Sequence, residues 1–159
     1  MAYAITSDCI GCTACARVCP VEAISGSRNS LHWINPDLCV ECGVCGRTCP
    51  AGAILDPTGA VAPREPRRSQ WPKPVVDKEL CTGCSFCVDV CPFDCLALTT
   101  DGESGTPARP FEGISQLVNP RACVGCFLCE DICIKGAIVV LPPAESSLER
   151  PQTALRLKG

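Results

Sequence analysis

Short apolar stretches recur along the chain, and polar or glycine-rich residues separate each stretch from the next. Four stretches have the β-branched or alternating character of short strands: AYAIT, LHWIN, PVVD and QLVN. Each is followed by a loop of small residues, by enough chain for one or two helical turns, and by a second apolar stretch within CPVEAI, CPAGAI, CPFDCL or CIKGAI. The pattern therefore predicts four repeats of one unit, in the order strand, loop, short helix, strand.

The spacing between the repeats predicts how the chain is divided. Cys9 and Cys39, which open the loops of the first two repeats, lie 30 positions apart, whereas Cys81 and Cys123 lie 42 apart. Five prolines lie between the second and third repeats, and such a connection is extended and semi-rigid. We expect a first domain over residues 1–56, a linker over 57–74, a second domain over 75–141 with a loop insertion at 99–115, and a C-terminal tail over 142–159.

Composition adds a second constraint, because 17 of the 159 residues are cysteine and only 4% are aromatic. Small domains with so few aromatic residues build small cores, so another element must hold them together. No uncharged apolar stretch approaches the roughly 18 residues that span a membrane, and no membrane insertion is expected. The first residues have neither the basic region nor the apolar region of a secretory signal. We therefore expect a cytoplasmic protein, whose dense thiols bind metal rather than form disulfides.

Sixteen of the cysteines form four runs with the same C-x2-C-x2-C-x3-C spacing. Proline follows three of the runs, and Ile134 follows the fourth. Alanine, glycine, threonine and serine between the cysteines keep each loop slim, so that backbone N–H groups approach the sulfur atoms. The runs are Cys9-Cys12-Cys15-Cys19, Cys39-Cys42-Cys45-Cys49, Cys81-Cys84-Cys87-Cys91 and Cys123-Cys126-Cys129-Cys133.

This spacing resembles that of bacterial two-cluster ferredoxins. The segment AYAITSDCIGCTACARVCPVEAI resembles the opening of a clostridial-type two-cluster ferredoxin, and the resemblance covers residues 1–56 and 75–141. It implies an α+β fold of two ferredoxin-like domains in tandem, in which small hairpin sheets and short helices are stapled by two [4Fe-4S] clusters per domain.

The resemblance also implies how the cysteines are shared. In two-cluster ferredoxins the fourth cysteine of each run ligates the cluster that the other run holds. Four [4Fe-4S] clusters are then expected: cluster A on Cys9, Cys12, Cys15 and Cys49, cluster B on Cys39, Cys42, Cys45 and Cys19, cluster C on Cys81, Cys84, Cys87 and Cys133, and cluster D on Cys123, Cys126, Cys129 and Cys91.

Zinc is the alternative metal for sets of four cysteines. Structural zinc is usually held by two separated C-x2-C pairs, and a third cysteine at the same interval has no use in a tetrahedral site. The triple spacing in all four runs therefore favours iron–sulfur clusters over zinc.

Few other residues in the sequence point to chemistry. The single histidine, His32, is interpreted as a polar residue on the flank of a strand. No glycine-rich phosphate loop precedes a helix, and no nucleophile and base form a recognisable pair, so we expect electron transfer and no catalysis by this chain. The seventeenth cysteine, Cys95, takes the position that Ala23, Ala53 and Ala137 hold in the other repeats, and is expected to be a small buried residue.

The charged residues lead to two further expectations, one about partners and one about reduction potentials. The formal net charge is −3, which does not favour a nucleic-acid partner. One position within the runs holds Arg17 and Arg47 in the first half, but Asp89 and Asp131 in the second. Positive charge favours the reduced and more negative cluster, so we expect higher reduction potentials in the first half. The alternative, that all four are solvated surface charges without this effect, stays open.

The tandem arrangement resembles the polyferredoxin subunits of larger oxidoreductases. In size and four-cluster layout it is similar to the small iron–sulfur subunit that accompanies tungsten-dependent aldehyde oxidoreductases with a flavin subunit. This resemblance implies a relay between a metal-pterin catalytic subunit and a flavin subunit or ferredoxin, although formate dehydrogenases, hydrogenases and aryl-CoA reductases use similar subunits. A free ferredoxin-type carrier and a structural or sensing module are the alternatives. A relay with two ends also allows head-to-tail self-association.

Overall fold

The computed structural model describes residues 2–100 and 107–143. The chain divides into two compact units, the first ending at Arg68 and the second starting at Ser69. Residues 144–159 of the expected tail and residues 101–106 of the expected insertion lie outside the described residues. Among the residues that are described, no helix is long and apolar enough to cross a membrane.

The first unit contains two repeats of strand, loop, helix and strand, as the apolar pattern predicts. The strands form two antiparallel pairs, in which β2 joins β3 as a hairpin and β1 joins β4. The first and last strands of the unit are therefore neighbours, which brings the two repeats together. The elements are β1 (Ala4–Ile5), α1 (Ala14–Val18), β2 (Ile24–Ser25), β3 (Trp33–Ile34), α2 (Val44–Thr48) and β4 (Ile54–Leu55).

The second unit repeats this topology with longer strands. A 3-10 turn at Arg68–Gln70 precedes it, and its strands again pair first with last and second with third, as β5 with β8 and β6 with β7. The prediction of small hairpin sheets with short helices is therefore confirmed. The elements are β5 (Lys73–Val76), α3 (Phe86–Asp89), β6 (Leu96–Thr99), β7 (Ile114–Leu117), α4 (Leu128–Asp131) and β8 (Ile138–Leu141).

The apolar cores are small and include the cysteines. In the first unit Ala23, Ile24, Ala53 and Ile54 are buried together with Cys15, Cys45 and Cys49. In the second unit Leu96 and Ile138 are buried with Cys87. Two-stranded sheets are marginally stable on their own, so such cores need support from whatever the cysteines bind.

The range 57–74, which the sequence predicts to be a linker, packs against the two units at its ends. Val61 pairs with Leu55, and Ala62 is buried against Gly46 of α2. At the other end Trp71 is only 2% exposed, and β5 begins at Lys73 rather than at the expected boundary of 75. Proline lacks a backbone donor but is tolerated in an edge strand, which is why a proline-rich segment contributes to sheet pairing here.

The expected insertion at 99–115 also overlaps the strands. Thr99 ends β6 and additionally pairs with Pro107, while β7 begins at Ile114. Between them, the backbone N–H of Phe111 donates to the carbonyl of Gly83 at 2.6 Å. The described part of the insertion thus covers the third cysteine loop.

Candidate metal centres

The cysteine loops share one backbone geometry. The second residue after the first cysteine has a positive φ in every run, and it is Gly11, Gly83 or Gly125 in three of them. These three glycines are buried, and a Cβ on Gly125 would lie 2.6 Å from the carbonyl oxygen of Pro72. In the second run Glu41 takes this position with a φ of 54° and is exposed. The loops therefore curl in the same way, but other segments cover only three of them closely at this residue.

Each loop lines a cavity together with one cysteine from the paired run. Every cavity has the first three cysteines of one run and the fourth cysteine of the other run in its wall. The structure thus brings together all sixteen cysteines of the runs: Cys9, Cys12, Cys15 and Cys49 at cavity A, Cys39, Cys42, Cys45 and Cys19 at cavity B, Cys81, Cys84, Cys87 and Cys133 at cavity C, and Cys123, Cys126, Cys129 and Cys91 at cavity D.

The short helices explain this exchange of cysteines. In α1, Cys15 is the second helical residue and Cys19 is the residue at which the helix is capped. The third cysteine lies in the first turn of each helix and the fourth lies beyond the last helical residue, since α1 ends at Val18 and α3 at Asp89. Each helix therefore contributes a sulfur to both cavities of its unit.

Backbone N–H groups donate to the sulfur of the fourth cysteine in three runs. The donor is four residues later in each case: Ala23 to Cys19 Sγ at 3.3 Å, Cys95 to Cys91 Sγ at 3.4 Å, and Ala137 to Cys133 Sγ at 3.2 Å. Such bonds stabilise a thiolate that ligates a metal. These donors follow the runs, whereas the sequence analysis expected the backbone to approach sulfur at the small residues between the cysteines.

Burial favours the protonated form of three thiols in the cavity walls. It raises the pKa of Cys15 to about 11, and the pKa values of Cys45 and Cys129 to about 12. A metal ligand must be a thiolate, so metal binding at these sulfurs releases protons.

Each cavity also has one residue in its wall that the sequence analysis did not predict. This strand position lies two residues before the last paired residue of β1, β3, β5 or β7. It is occupied by Tyr3 at cavity B, His32 at cavity A, Pro74 at cavity D and Ser115 at cavity C. No shared residue type marks it in the sequence. Only alignment of the strands against the cysteine runs could have indicated it.

His32 lies on the flank of strand β3, directly before Trp33, and is buried there. Its side chain is 1% exposed, and its Nδ1 lies 2.9 Å from the carbonyl oxygen of Ser30, while Nε2 is buried without a hydrogen-bond partner. The ring packs directly over Gly26, where a Cβ would lie 2.5 Å from the imidazole. A strand flank that adjoins a cavity is buried from both sides, which the sequence pattern does not reveal.

Cys95 occupies the small buried position that the sequence predicts. It is 2% exposed, as buried as its counterparts Ala23, Ala53 and Ala137. Its Sγ lies 3.4 Å from the carbonyl of Phe93, and burial together with the charges of Cys91 and Cys123 raises its pKa strongly. It also lines cavity D, so this cavity has five cysteines in its wall.

The donor set fits an iron–sulfur cluster. Within the described ranges, no three His, Cys, Asp or Glu side chains converge on one point as a single metal ion requires. The four sulfurs instead surround a cavity, and all the ligands are the soft thiolates that iron–sulfur clusters take.

Family models give the same assignment. Three models described as 4Fe-4S dicluster domain match residues 2–55, 73–134 and 39–95. The first two together include both units, and the third overlaps them across the connection. The chain therefore carries multiple [4Fe-4S] clusters.

Relatives match a shorter part of the chain. A ferredoxin-like protein in the nif region of Nostoc sp. is 53% identical over 38 residues, which are 24% of this chain and 33% of that protein. One component of an ion-translocating oxidoreductase complex from Serratia proteamaculans is 45% identical over 38 residues, 24% of this chain and 20% of that component. The match thus spans a third or less of these relatives.

A solved formate dehydrogenase–heterodisulfide reductase–formylmethanofuran dehydrogenase complex from Methanospirillum hungatei contains a chain that is 25% identical. The match covers 83% of this chain and 51% of that one, with a TM-score of 0.33. The family models and the cysteine cavities together show that the chain carries 4Fe-4S dicluster domains of the ferredoxin type.

Proposed function

We propose that this chain relays single electrons through four [4Fe-4S] clusters inside a larger oxidoreductase and catalyses no reaction itself. The cavities carry the proposal, because each has four cysteines of the runs in its wall, three from one run and the fourth from its partner run, and cavity D has Cys95 in addition. We assign cluster A to cavity A, and clusters B, C and D to the cavities of the same letter. Short helices join the two cavities of a unit.

The tandem arrangement is part of the proposal. A first two-cluster domain over residues 1–56 and a second over 75–141 are supported by the repeated topology and by the division of the chain after Arg68. Val61 pairs with Leu55 and Lys73 pairs with Leu141, so the strand pairing continues beyond residue 56 in the first domain and begins before residue 75 in the second.

The direct test is anaerobic purification with metal analysis and a reductive titration followed by EPR. About sixteen iron atoms per chain and four one-electron reductions are expected. A folded, colourless preparation that contains zinc would contradict the proposal. Clusters without reversible reduction would favour a structural or sensing module instead.

For the partner, we propose a catalytic oxidoreductase subunit of the tungsten-pterin aldehyde oxidoreductase type, with a flavin subunit or a ferredoxin at the other end. The support is the size of the chain and its four-cluster layout. Likeness to a component of an ion-translocating oxidoreductase complex supports a partner of the oxidoreductase class in general. Native anaerobic purification followed by tungsten and flavin analysis of the co-eluting subunits tests this choice.

A free ferredoxin-type carrier is the second candidate, favoured by the likeness to a ferredoxin-like protein. A lone monomer in native extracts would support the carrier and count against the relay subunit. A cytoplasmic location is proposed for either case, because a reducing compartment preserves so many thiolate ligands. Light scattering of the anaerobic protein tests head-to-tail self-association. Assemblies of this chain larger than small closed complexes would support it.

A further inference from the structure

Ser115 lies at the point where strand β7 passes the wall of cavity C. It is only 1% exposed, and its hydroxyl oxygen is 3.2 Å from Cys87 Sγ. Its backbone N–H donates to Cys81 Sγ at 3.5 Å. One residue thus contacts two of the four sulfurs that we assign to cluster C.

The protonation state of the sulfur decides the direction of the hydroxyl bond. A free thiol at Cys87 could donate its own proton to the serine oxygen. A sulfur that ligates iron carries no proton, so the Ser115 hydroxyl is the donor that remains and the sulfur becomes the acceptor. A hydrogen bond to a charged sulfur is stronger than a neutral one and strengthens as negative charge accumulates on the cluster.

The other three cavities differ at this strand position. Pro74 at cavity D has neither a backbone N–H nor a side-chain donor, whereas cavities A and B have the larger side chains of His32 and Tyr3. The two clusters of the second unit therefore have opposite environments at equivalent points. Cluster C has a hydroxyl donor beside a ligand sulfur, and cluster D has none from this position.

We propose that Ser115 raises the reduction potential of cluster C by donating a hydrogen bond from its hydroxyl to Cys87 Sγ. Reduction adds negative charge to the cluster and its sulfurs, and the donor stabilises that state. Ser115 acts through a ligand and is a positioning residue. The proposal rests on the assignment of cluster C in the proposed function.

The test is a reductive EPR titration of the full chain carrying Ser115→Ala. We expect one of the four midpoints to become more negative by about a tenfold change in the reduction equilibrium, equal to about 59 mV for one electron. The other three midpoints and the iron content should stay unchanged. Ser115→Thr, which retains a hydroxyl, should restore the midpoint toward that of the unaltered protein.

Ser85→Ala is the matched control, because Ser85 lies at the same cavity but its hydroxyl donates to Asp89 Oδ2 at 2.9 Å. Full iron content with no shift in Ser115→Ala, or an equal shift in Ser85→Ala, would overturn the proposal. Iron loss in Ser115→Ala with retention in Ser115→Thr would make Ser115 structural and would overturn it too. Absence of reducible clusters in the unaltered protein would instead contradict the proposed function.

Discussion

Two positively charged side chains lie beside cysteine loops. Lys73 Nζ donates to the carbonyl oxygen of Cys123 at 2.7 Å, at the loop of cavity D. Arg47 Nη2 donates to the carbonyl oxygen of Cys42 at 3.3 Å, so the guanidinium lies beside the loop of cavity B. Burial raises the pKa of the Cys42 thiol, and the charge of Arg47 acts in the opposite direction. In the second unit the corresponding Asp89 instead accepts a hydrogen bond from Ser85. The aligned positions 47 and 89 therefore differ in charge beside their cysteine loops, while Lys73 places a positive charge beside a loop of the second unit.

Replacing Arg47 by leucine should lower the reduction potential of one cluster of the first unit. The loss of a nearby positive charge destabilises the reduced cluster, by roughly tenfold in the reduction equilibrium or about 59 mV. An EPR-monitored titration measures the change. Arg47→Lys keeps the positive charge and should leave the reduction potential of the cluster nearly unchanged. An unchanged set of midpoints in Arg47→Leu would favour the view that these are solvated charges without influence on the clusters.

Replacing Cys95 by alanine should leave the iron content of the protein unchanged. Alanine fills this position in the three other repeats, and the backbone N–H that donates to Cys91 Sγ is retained. Iron analysis of the anaerobic variant beside Cys123→Ala, which removes a proposed ligand, checks this expectation. If Cys95→Ala lost a quarter of the iron, Cys95 would be a ligand of cluster D.

For single residues, the sequence was informative where a residue type has one characteristic role, as cysteine has in binding metal. The resemblance of the cysteine runs to two-cluster ferredoxins implied the sets that line the cavities, and repeat alignment predicted the buried position of Cys95. The cavity positions of Tyr3, His32, Pro74 and Ser115 were missed, because four unrelated side chains occupy the strand position and nothing in a local pattern distinguishes a cavity wall from a strand flank.

At the scale of elements, the cysteine loops depend on close backbone approach. Gly83 has a φ of +65°, and a Cβ at this residue would collide with the carbonyl oxygen of Gly113. Beside this close approach of Gly83 and Gly113, the backbone N–H of Phe111 donates to the carbonyl oxygen of Gly83. The insertion and the third loop are therefore packed as one piece.

Replacing Gly83 by alanine should destabilise the second unit by about 1–2 kcal/mol for the left-handed backbone and by about 1–3 kcal/mol more for the collision. Gly59→Ala is the control, since Gly59 has a φ of +87° with nothing within 4 Å of a Cβ and should incur only the backbone cost. Thermal loss of the cluster absorbance under anaerobic conditions measures both. Equal effects of the two substitutions would show that the collision is relieved without cost.

The elements themselves were largely predictable, since each strand and α-helix overlaps a stretch that the apolar pattern and the runs indicate, although β7 begins two residues early and the 3-10 turn at Arg68–Gln70 lies in the predicted linker. The pairing of residues 57–74 was not. Prolines in that range suggest an unpaired connection, but Val61 and Lys73 lie at sheet edges, where a missing donor on a neighbouring proline has little cost. Whether a segment pairs at a sheet edge depends on which strand lies beside it in the folded chain. The amino-acid composition of the segment does not contain that information.

At the scale of the whole molecule, the regular structure within residues 2–100 and 107–143 is too short to be stable by itself. In these ranges the α-helices have four or five residues and each sheet has two strands. Isolated helices shorter than about 12 residues and lone strand pairs are marginal in water. The clusters must therefore supply a large share of the folding free energy.

Removal of iron with a chelator and a mild oxidant should consequently unfold both units. The far-UV circular dichroism of the iron-free chain, kept reduced with dithiothreitol, should lose its native form. Dithiothreitol alone is the control and should leave the spectrum unchanged. An iron-free chain with a native spectrum and a cooperative thermal transition would mean that the apolar cores suffice.

The exchange of cysteines across α1 and its counterparts has a consequence for exposure to air. If oxygen destroys one cluster, the helix that anchored it also carries a sulfur of its neighbour, and that neighbour loses a fixed ligand at the same time. Damage should therefore spread within a unit and stop at the connection around Arg68. Partly bleached protein would then accumulate as molecules with one intact half, rather than as molecules that have lost a single cluster.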